Sequence, residues 1–283
     1  FFAAQAALAQ RKAPQHTRFL FYTWENIYRE RTYASRISFV YRSIEKRCYE
    51  AFHGAICATE SAHQVLRRKG FTKPAAVIPY GIDSSFAATA SIPKAEARAM
   101  LHLPDDFLVG YVGRLLSMKG IDVLMSAFSR FNQGLLLIVG TGEEERNLRS
   151  LIASLGIGDR VRLVGSVPHE QVPLYMRALD VLVLPSRTTP LWQEQLGRVL
   201  LEAMATETVV VGSSSGAIPE VIGDAGLVFQ EDNVEQLSEM LTRLQEQSSL
   251  MDEMRVRGVR RVLDRFTWKR FAQDMAAFWE SLR

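Results

Sequence analysis

Between residues 107 and 222, apolar runs of strand length alternate with segments whose apolar residues recur at helical spacing. That rhythm restricts the chain to an α/β architecture with a mainly parallel sheet covered on both faces. Strands are expected over 107–112, 135–139, 161–164, 180–184 and 209–211, and helices over 121–131, 143–155, 171–178 and 217–222. Sheets of this kind bind ligands beyond the carboxyl ends of their strands. The loops Gly113-Arg114, Gly140-Thr141-Gly142, Gly165-Ser166, the segment around Glu194 and Ser213 to Gly216 each follow a strand, so they are expected to converge on one crevice.

The most specific of these loops is Trp192-Gln193-Glu194-Gln195-Leu196-Gly197-Arg198-Val199-Leu200-Leu201-Glu202-Ala203-Met204-Ala205. Val199, Leu200, Ala203 and Met204 have the spacing of a helix packed on a sheet. Gly197 then marks the helix N-terminus, where exposed N–H groups and the dipole favour a phosphate. Glu202, about one turn in, points back toward that terminus, because helical side chains tilt N-terminally. Glu194 hangs from the loop above. A diphosphate held by backbone N–H groups, with carboxylates placed for sugar hydroxyls, suits a nucleotide-sugar. The alternative for this stretch alone is two unrelated surface glutamates.

Arg114 and Lys119 offer a second half to that site. Gly113-Arg114 follows a strand and Lys119-Gly120 opens the next helix, so two cations flank one strand end, where they can clamp a diphosphate. Standing alone, they would equally be a solvated Arg and Lys on a loop. Val139-Gly140-Thr141-Gly142 makes a tight strand-to-helix turn, but Glu145 replaces the third glycine of a dinucleotide motif, which argues against nicotinamide or flavin. Pro219 within Gly216-Ala217-Ile218-Pro219-Glu220 suits the first turn of a helix. His16, His53, His63, His102 and His169 are scattered without metal-ligand spacing.

Residues 1–82 read differently. Helices are expected over 1–11, 35–51 and 61–69, with short strands over 19–22, 55–58 and 75–78, too few for a complete doubly wound domain. This part carries thirteen Lys and Arg against five Asp and Glu, while the whole chain is only +3. Such a basic surface suits lipid headgroups or a phosphorylated acceptor, or is simply a solvated face. Residues 87–93, rich in Ala, Ser and Thr, read as a linker, and 252–263 and 268–282 as closing amphipathic helices. No apolar run of about eighteen residues exists, so no bilayer-spanning helix is expected. Cys48 and Cys57 lack a metal pattern and suit a reducing cytoplasm.

These residues resemble the retaining GT-B glycosyltransferases of family GT4. The likeness runs from about Thr17 to the C-terminus. It rests on Ile78-Pro79-Tyr80-Gly81-Ile82-Asp83 with Phe86, on Gly113-Arg114 with Lys119-Gly120, on 180–186, on the Glu194/Glu202 pair with Ala-Met-Ala, and on 216–220. The resemblance implies a GT-B fold of two Rossmann-like parallel-sheet domains, the N-terminal one incomplete. It implies catalytic roles for Glu194, Arg114 and Lys119, with Glu194 facing the transferred sugar. Donor contacts would come from Gly113, Gly140, Gly142, Val164, Gly165, Gly197, the N–H groups of Arg198 and Val199, and Glu202 at the ribose. No metal or other cofactor is expected, the nucleotide-sugar being a substrate.

Three departures accompany the likeness. Several N-terminal strands and a Gly-rich loop of the family have no counterpart. Thr23-Trp24-Glu25-Asn26 stands where many members carry a His, leaving Glu25 and Asn26 as acceptor-side candidates or packing residues. Glu207 stands where a glycine commonly precedes the next strand. The expected organisation is an acceptor-side domain over 1–85, a nucleotide-sugar domain over 86–267, and a helix over 268–283 crossing back. The expected activity is transfer from a UDP- or GDP-sugar to a lipid-linked or polysaccharide acceptor with retention of configuration. Cytoplasmic location, peripheral membrane contact through the basic N-terminal part and no nucleic-acid partner are expected with it. The alternatives are a non-catalytic nucleotide-sugar-binding fragment and a GT-B sugar-nucleotide epimerase.

Overall fold

The computed structural model describes residue 14, residues 17–28 and residues 38–282. The helix expected over 1–11 and the first residues of the helix expected over 35–51, Arg36 among them, lie outside them. The chain divides into two compact units, Gly81–Trp268 and a second built from Phe1–Tyr80 with Lys269–Arg283.

In the smaller unit β1 (Leu20–Thr23), β2 (Gly54–Cys57) and β3 (Ala75–Val77) form a parallel sheet in the order β1-β2-β3. Helix α1 (Ser38–Ala51) precedes β2, and α2 (Glu60–Arg68) links β2 to β3. Thr59 starts α2 by accepting the Ala62 N–H at 3.2 Å, as an N-cap should. Ala55, Cys57, Ala62, Leu66 and Phe71 form the core, and the Phe21 ring meets Phe52 and Phe71 edge-on with centroids 5.0 and 5.4 Å apart. Both cysteines are buried free thiols. Phe271, from the closing helix Trp268–Glu280, sits 6.4 Å from the Tyr22 ring.

The larger unit holds a six-stranded parallel sheet of β4 (Leu108–Val112), β5 (Leu135–Val139), β6 (Val161–Gly165), β7 (Val181–Leu184), β8 (Val209–Ser213) and β9 (Gly226–Phe229). Its spatial order is β6-β5-β4-β7-β8-β9. Helices α3 (Ser84–Thr89) and α4 (Lys94–Met100) precede it. The connections carry α5 (Ile121–Phe131), α6 (Glu145–Leu155), α7 (Val172–Ala178), α8 (Arg198–Ala205) and α9 (Ile218–Ile222), and α10 (Val234–Glu246) and α11 (Ser248–Arg265) close the unit. Every residue of β5, β7 and β8 is buried, as helices on both faces require. Gly258 of α11 lets that helix approach α8, because a Cβ there would lie 3.1 Å from the Met204 side chain.

One expectation fails. The Ala/Ser/Thr-rich stretch over 87–93 is not a linker throughout: its first residues complete α3, which Asp83 caps by accepting the Ser85 N–H at 2.8 Å. The small residues favour helix once a cap starts it and fully buried Phe86 anchors it.

At the amino end of β7, Asp180 is enclosed by cations. Its carboxylate takes Arg98 at 2.6 Å, Lys94 at 2.9 Å and the Leu108 N–H at 2.8 Å. Burial opposes ionisation here, but Lys94, the Leu108 N–H and Arg98 outweigh it and hold the carboxyl below its ordinary range. The cluster ties α4 to the sheet at the end opposite the strand-following loops.

Candidate functional site

Chain order reverses direction between β4 and β7. From β4 the chain adds β5 and β6 on one side, and from β7 it adds β8 and β9 on the other. Loops after two such neighbouring strands leave in opposite directions and open a crevice, the usual ligand position in this architecture. Residues 113–120 form one lip and residues 185–197 the other.

Backbone hydrogen bonds stitch the loops together. Gly113 N–H donates to Val139 at 2.9 Å, Leu115 N–H to Thr141 at 3.0 Å, and Gly140 N–H to Gly165 at 2.8 Å. The two lips are joined by the Arg187 N–H donating to the Met118 carbonyl at 2.8 Å. Two glycines make this approach possible. A Cβ on Gly120, which has φ +65°, would lie 2.0 Å from the Pro185 carbonyl oxygen, and one on Gly140 would lie 1.9 Å from that of Gly113. A side chain at 120 would force the lips apart, and one at 140 would push the loop after β5 away from Gly113.

Lys119 and Glu194 meet across the crevice. The Lys119 Nζ lies 2.7 Å from Glu194 Oε2, and the Ser186 hydroxyl donates to that same oxygen at 2.9 Å. Glu194 is only 8% exposed. Its backbone is fixed as well, its carbonyl accepting the Ala217 N–H from the loop after β8 at 3.0 Å. Arg114 is exposed, and its carbonyl accepts the Tyr111 hydroxyl at 2.7 Å. Burial, reinforced by the neighbouring Glu194 charge, pushes the Tyr111 hydroxyl far above its ordinary range, so it remains a donor.

Gly197 caps α8 in the left-handed conformation, φ +69°, and Arg198 and Val199 occupy the first turn, whose N–H groups have no intrahelical acceptor. Glu202 is half-buried and takes Arg198 Nε at 2.8 Å. Burial raises its pKa above the ordinary 4.5, while Arg198 and His169 work against the shift. A carboxyl raised in the folded state binds its proton more tightly there than in the unfolded chain. Between 4.5 and the native pKa stability therefore falls as pH rises.

Of the residues singled out in the sequence, Gly113, Arg114, Lys119, Gly140, Gly142, Val164, Gly165, Glu194, Gly197, Arg198, Val199 and Glu202 all belong to the larger unit and stand at or just beyond carboxyl ends of its strands. Glu25 and Asn26 belong to the smaller unit, where Glu25 is paired with Lys69 at 2.5 Å and Asn26 is buried. Three participants were not singled out: Tyr111, Ser186 and Trp192. Ser186 carried a usable signal, a hydroxyl immediately after a buried strand. Among the described residues no three His, Cys, Asp or Glu side chains gather as a metal would require.

The family model for glycosyl transferases group 1 matches residues 94–261, more than half of the chain and all of this site. The chain belongs to the group 1 glycosyltransferases. The GDP-mannose-dependent alpha-(1-6)-phosphatidylinositol monomannoside mannosyltransferase of Mycobacterium tuberculosis is 29% identical over 209 residues, covering 71% of this chain and 54% of that protein. The chain spans about half the length of the curated relatives it matches. Among solved structures, sucrose-phosphate synthase from Thermosynechococcus elongatus superposes with a TM-score of 0.79 at 27% identity, covering 99% of this chain and 71% of that one. HepE of Anabaena, solved with UDP, gives 0.81 at 19% identity over 99% of this chain and 76% of its own. The fold is that of the GT-B glycosyltransferases. Glu207, before the strand at 209, holds φ +59°, a conformation glycine adopts most readily, and its carboxylate is secured by Arg177 at 2.8 Å.

Proposed function

We propose that the crevice between β4 and β7 binds the diphosphate of a UDP- or GDP-linked sugar, and that the chain serves transfer of that sugar with retention of configuration. The observation that carries this reading is the meeting of Lys119, Glu194 and the capped N-terminus of α8 at one chain reversal. Arg114, Lys119 and the first-turn N–H groups of Arg198 and Val199 would hold the diphosphate. As the bond to the sugar breaks, negative charge grows on that leaving group, and fixed cations and dipoles act where the charge develops. Glu202 would accept the ribose hydroxyls and Glu194 those of the transferred sugar. Residues around Gly140, Val164 and Gly165 would line the base. With cations and helix N–H groups neutralising the diphosphate, the site is proposed to work without a metal.

The acceptor is proposed to be lipid-linked or a saccharide. The Mycobacterium tuberculosis relative acts, by its name, on a phosphatidylinositol mannoside. In this chain α1 exposes Arg42, Lys46 and Arg47 beside Val40 and Ile44, a mixture suited to an anionic lipid surface. No helix among the described residues is long and apolar enough to cross a membrane.

Thermal unfolding with a panel of UDP- and GDP-sugars tests the donor assignment. A ligand at a hundredfold its Kd should stabilise by about 2.7 kcal/mol. One base series is expected to raise Tm, equally with and without EDTA; no shift with either series would defeat the reading. Product analysis with and without acceptor then separates transfer from epimerisation of the donor.

A further inference from the structure

Trp192 reaches the site by a device that none of the assigned roles explains. Thr189 and Trp192 pair as a miniature hairpin, Thr189 N–H donating to the Trp192 carbonyl at 2.7 Å and Trp192 N–H returning to Thr189 at 3.3 Å. Pro190 and Leu191 make the turn, with Pro at the position its fixed φ suits. The hairpin is anchored at its base. Thr188 donates its N–H to Glu231 Oε2 at 2.6 Å and its hydroxyl to Oε1 at 2.8 Å. Arg187 grips both oxygens of Asp122, at 2.8 and 2.6 Å, and also meets Asp232. On this support the indole face lies 4.8 Å from Lys119 Nζ, on the ammonium that also pairs with Glu194.

We propose that Trp192 is a positioning residue for the diphosphate-binding cation, holding the Lys119 ammonium between its indole face and Glu194 before the ligand arrives. This rests on the donor-site reading above. A free lysine carries about 2 kcal/mol of rotamer entropy, most of which must be lost when it fixes a phosphate. A cation–π contact restrains the ammonium without consuming any of its three N–H donors. Lys119 can therefore exchange Glu194 for phosphate oxygens while remaining on the indole, leaving Glu194 to receive sugar hydroxyls. An aliphatic side chain of similar bulk would fill the same space without attracting the cation.

The test is a double-mutant cycle read by calorimetry on the full chain, using UDP and GDP against UMP and GMP. A cation–π contact of about 0.5–1 kcal/mol corresponds to roughly two- to fivefold in affinity. Trp192→Leu is expected to weaken the preferred nucleoside diphosphate by that factor while leaving its monophosphate unchanged. Trp192→Phe should retain half or more of the effect, and Trp192→Leu should add no loss in a Lys119→Met background. Equal losses for Leu and Phe, or the same loss with Lys119 absent, overturn the positioning role. If Lys119→Met itself leaves diphosphate affinity unchanged, the donor-site reading falls and this inference with it.

Discussion

Asp180→Asn is expected to lower stability by about 3–5 kcal/mol, because it removes the carboxylate on which Lys94 and Arg98 converge in a largely buried site, leaving Arg98 only the exposed Asp105 as counter-charge. Arg98 is 7% exposed, and Lys94 shares the same carboxylate. For a unit of this size the loss corresponds to a fall in Tm of about 10 °C, read by calorimetry or by the denaturant midpoint. Wild-type Asp180 is held below its ordinary 3.8, so its contribution is present above that value and is lost as pH falls through the native pKa. The variant should accordingly lose less on acidification than the wild type. Nucleotide affinity, measured where both proteins are folded, should stay within about twofold, since Asp180 lies at the amino end of β7 and the crevice at its carboxyl end.

Lys119→Met should divide affinity from stability in a different way. If the largely buried pair of Lys119 and Glu194 holds the diphosphate as proposed, removing Lys119 costs about 2–5 kcal/mol of binding, so diphosphate affinity should fall at least about thirtyfold. The fold loses less, about 1–2 kcal/mol, because Glu194 keeps the Ser186 hydroxyl. Adding Glu194→Gln removes the stranded carboxylate. The double variant should recover the lost stability and none of the diphosphate affinity. Recovery of both would mean that Lys119 serves only to neutralise Glu194.

What could be read beforehand follows from the range of the interactions. Five of the six strands in the larger sheet were legible because buried parallel strands are short continuous apolar runs, as in 135–139 and 209–211, whereas β9 opens on a glycine, is only half-buried over most of its length and was not expected. The Gly197 and Glu202 geometry was legible because helix caps and helical side-chain direction are local properties. Asp180 was visible only as the residue opening a strand: its partners Lys94 and Arg98 lie more than eighty positions earlier, and no local pattern connects them. Trp192 escaped for a similar reason. Residues 185–193 have no periodicity, and the hairpin that aims the indole depends on Glu231 and Asp232, which come from the loop after β9. The misread stretch over 87–93 shows composition giving way to one cap and one buried ring.

On the proposed reading, the Gly197-capped end of α8 holds the nucleotide-sugar, with Glu202 on its ribose. Titration calorimetry of wild type and Glu202→Ala with the preferred nucleotide-sugar tests it most directly. The substitution removes a half-buried carboxylate and leaves half-exposed Arg198 to solvent, so stability should change by no more than about 1 kcal/mol. Loss of charge-assisted hydrogen bonds should weaken the nucleotide-sugar by about tenfold or more. An unchanged affinity in the folded Glu202→Ala protein would contradict the account and place the donor elsewhere.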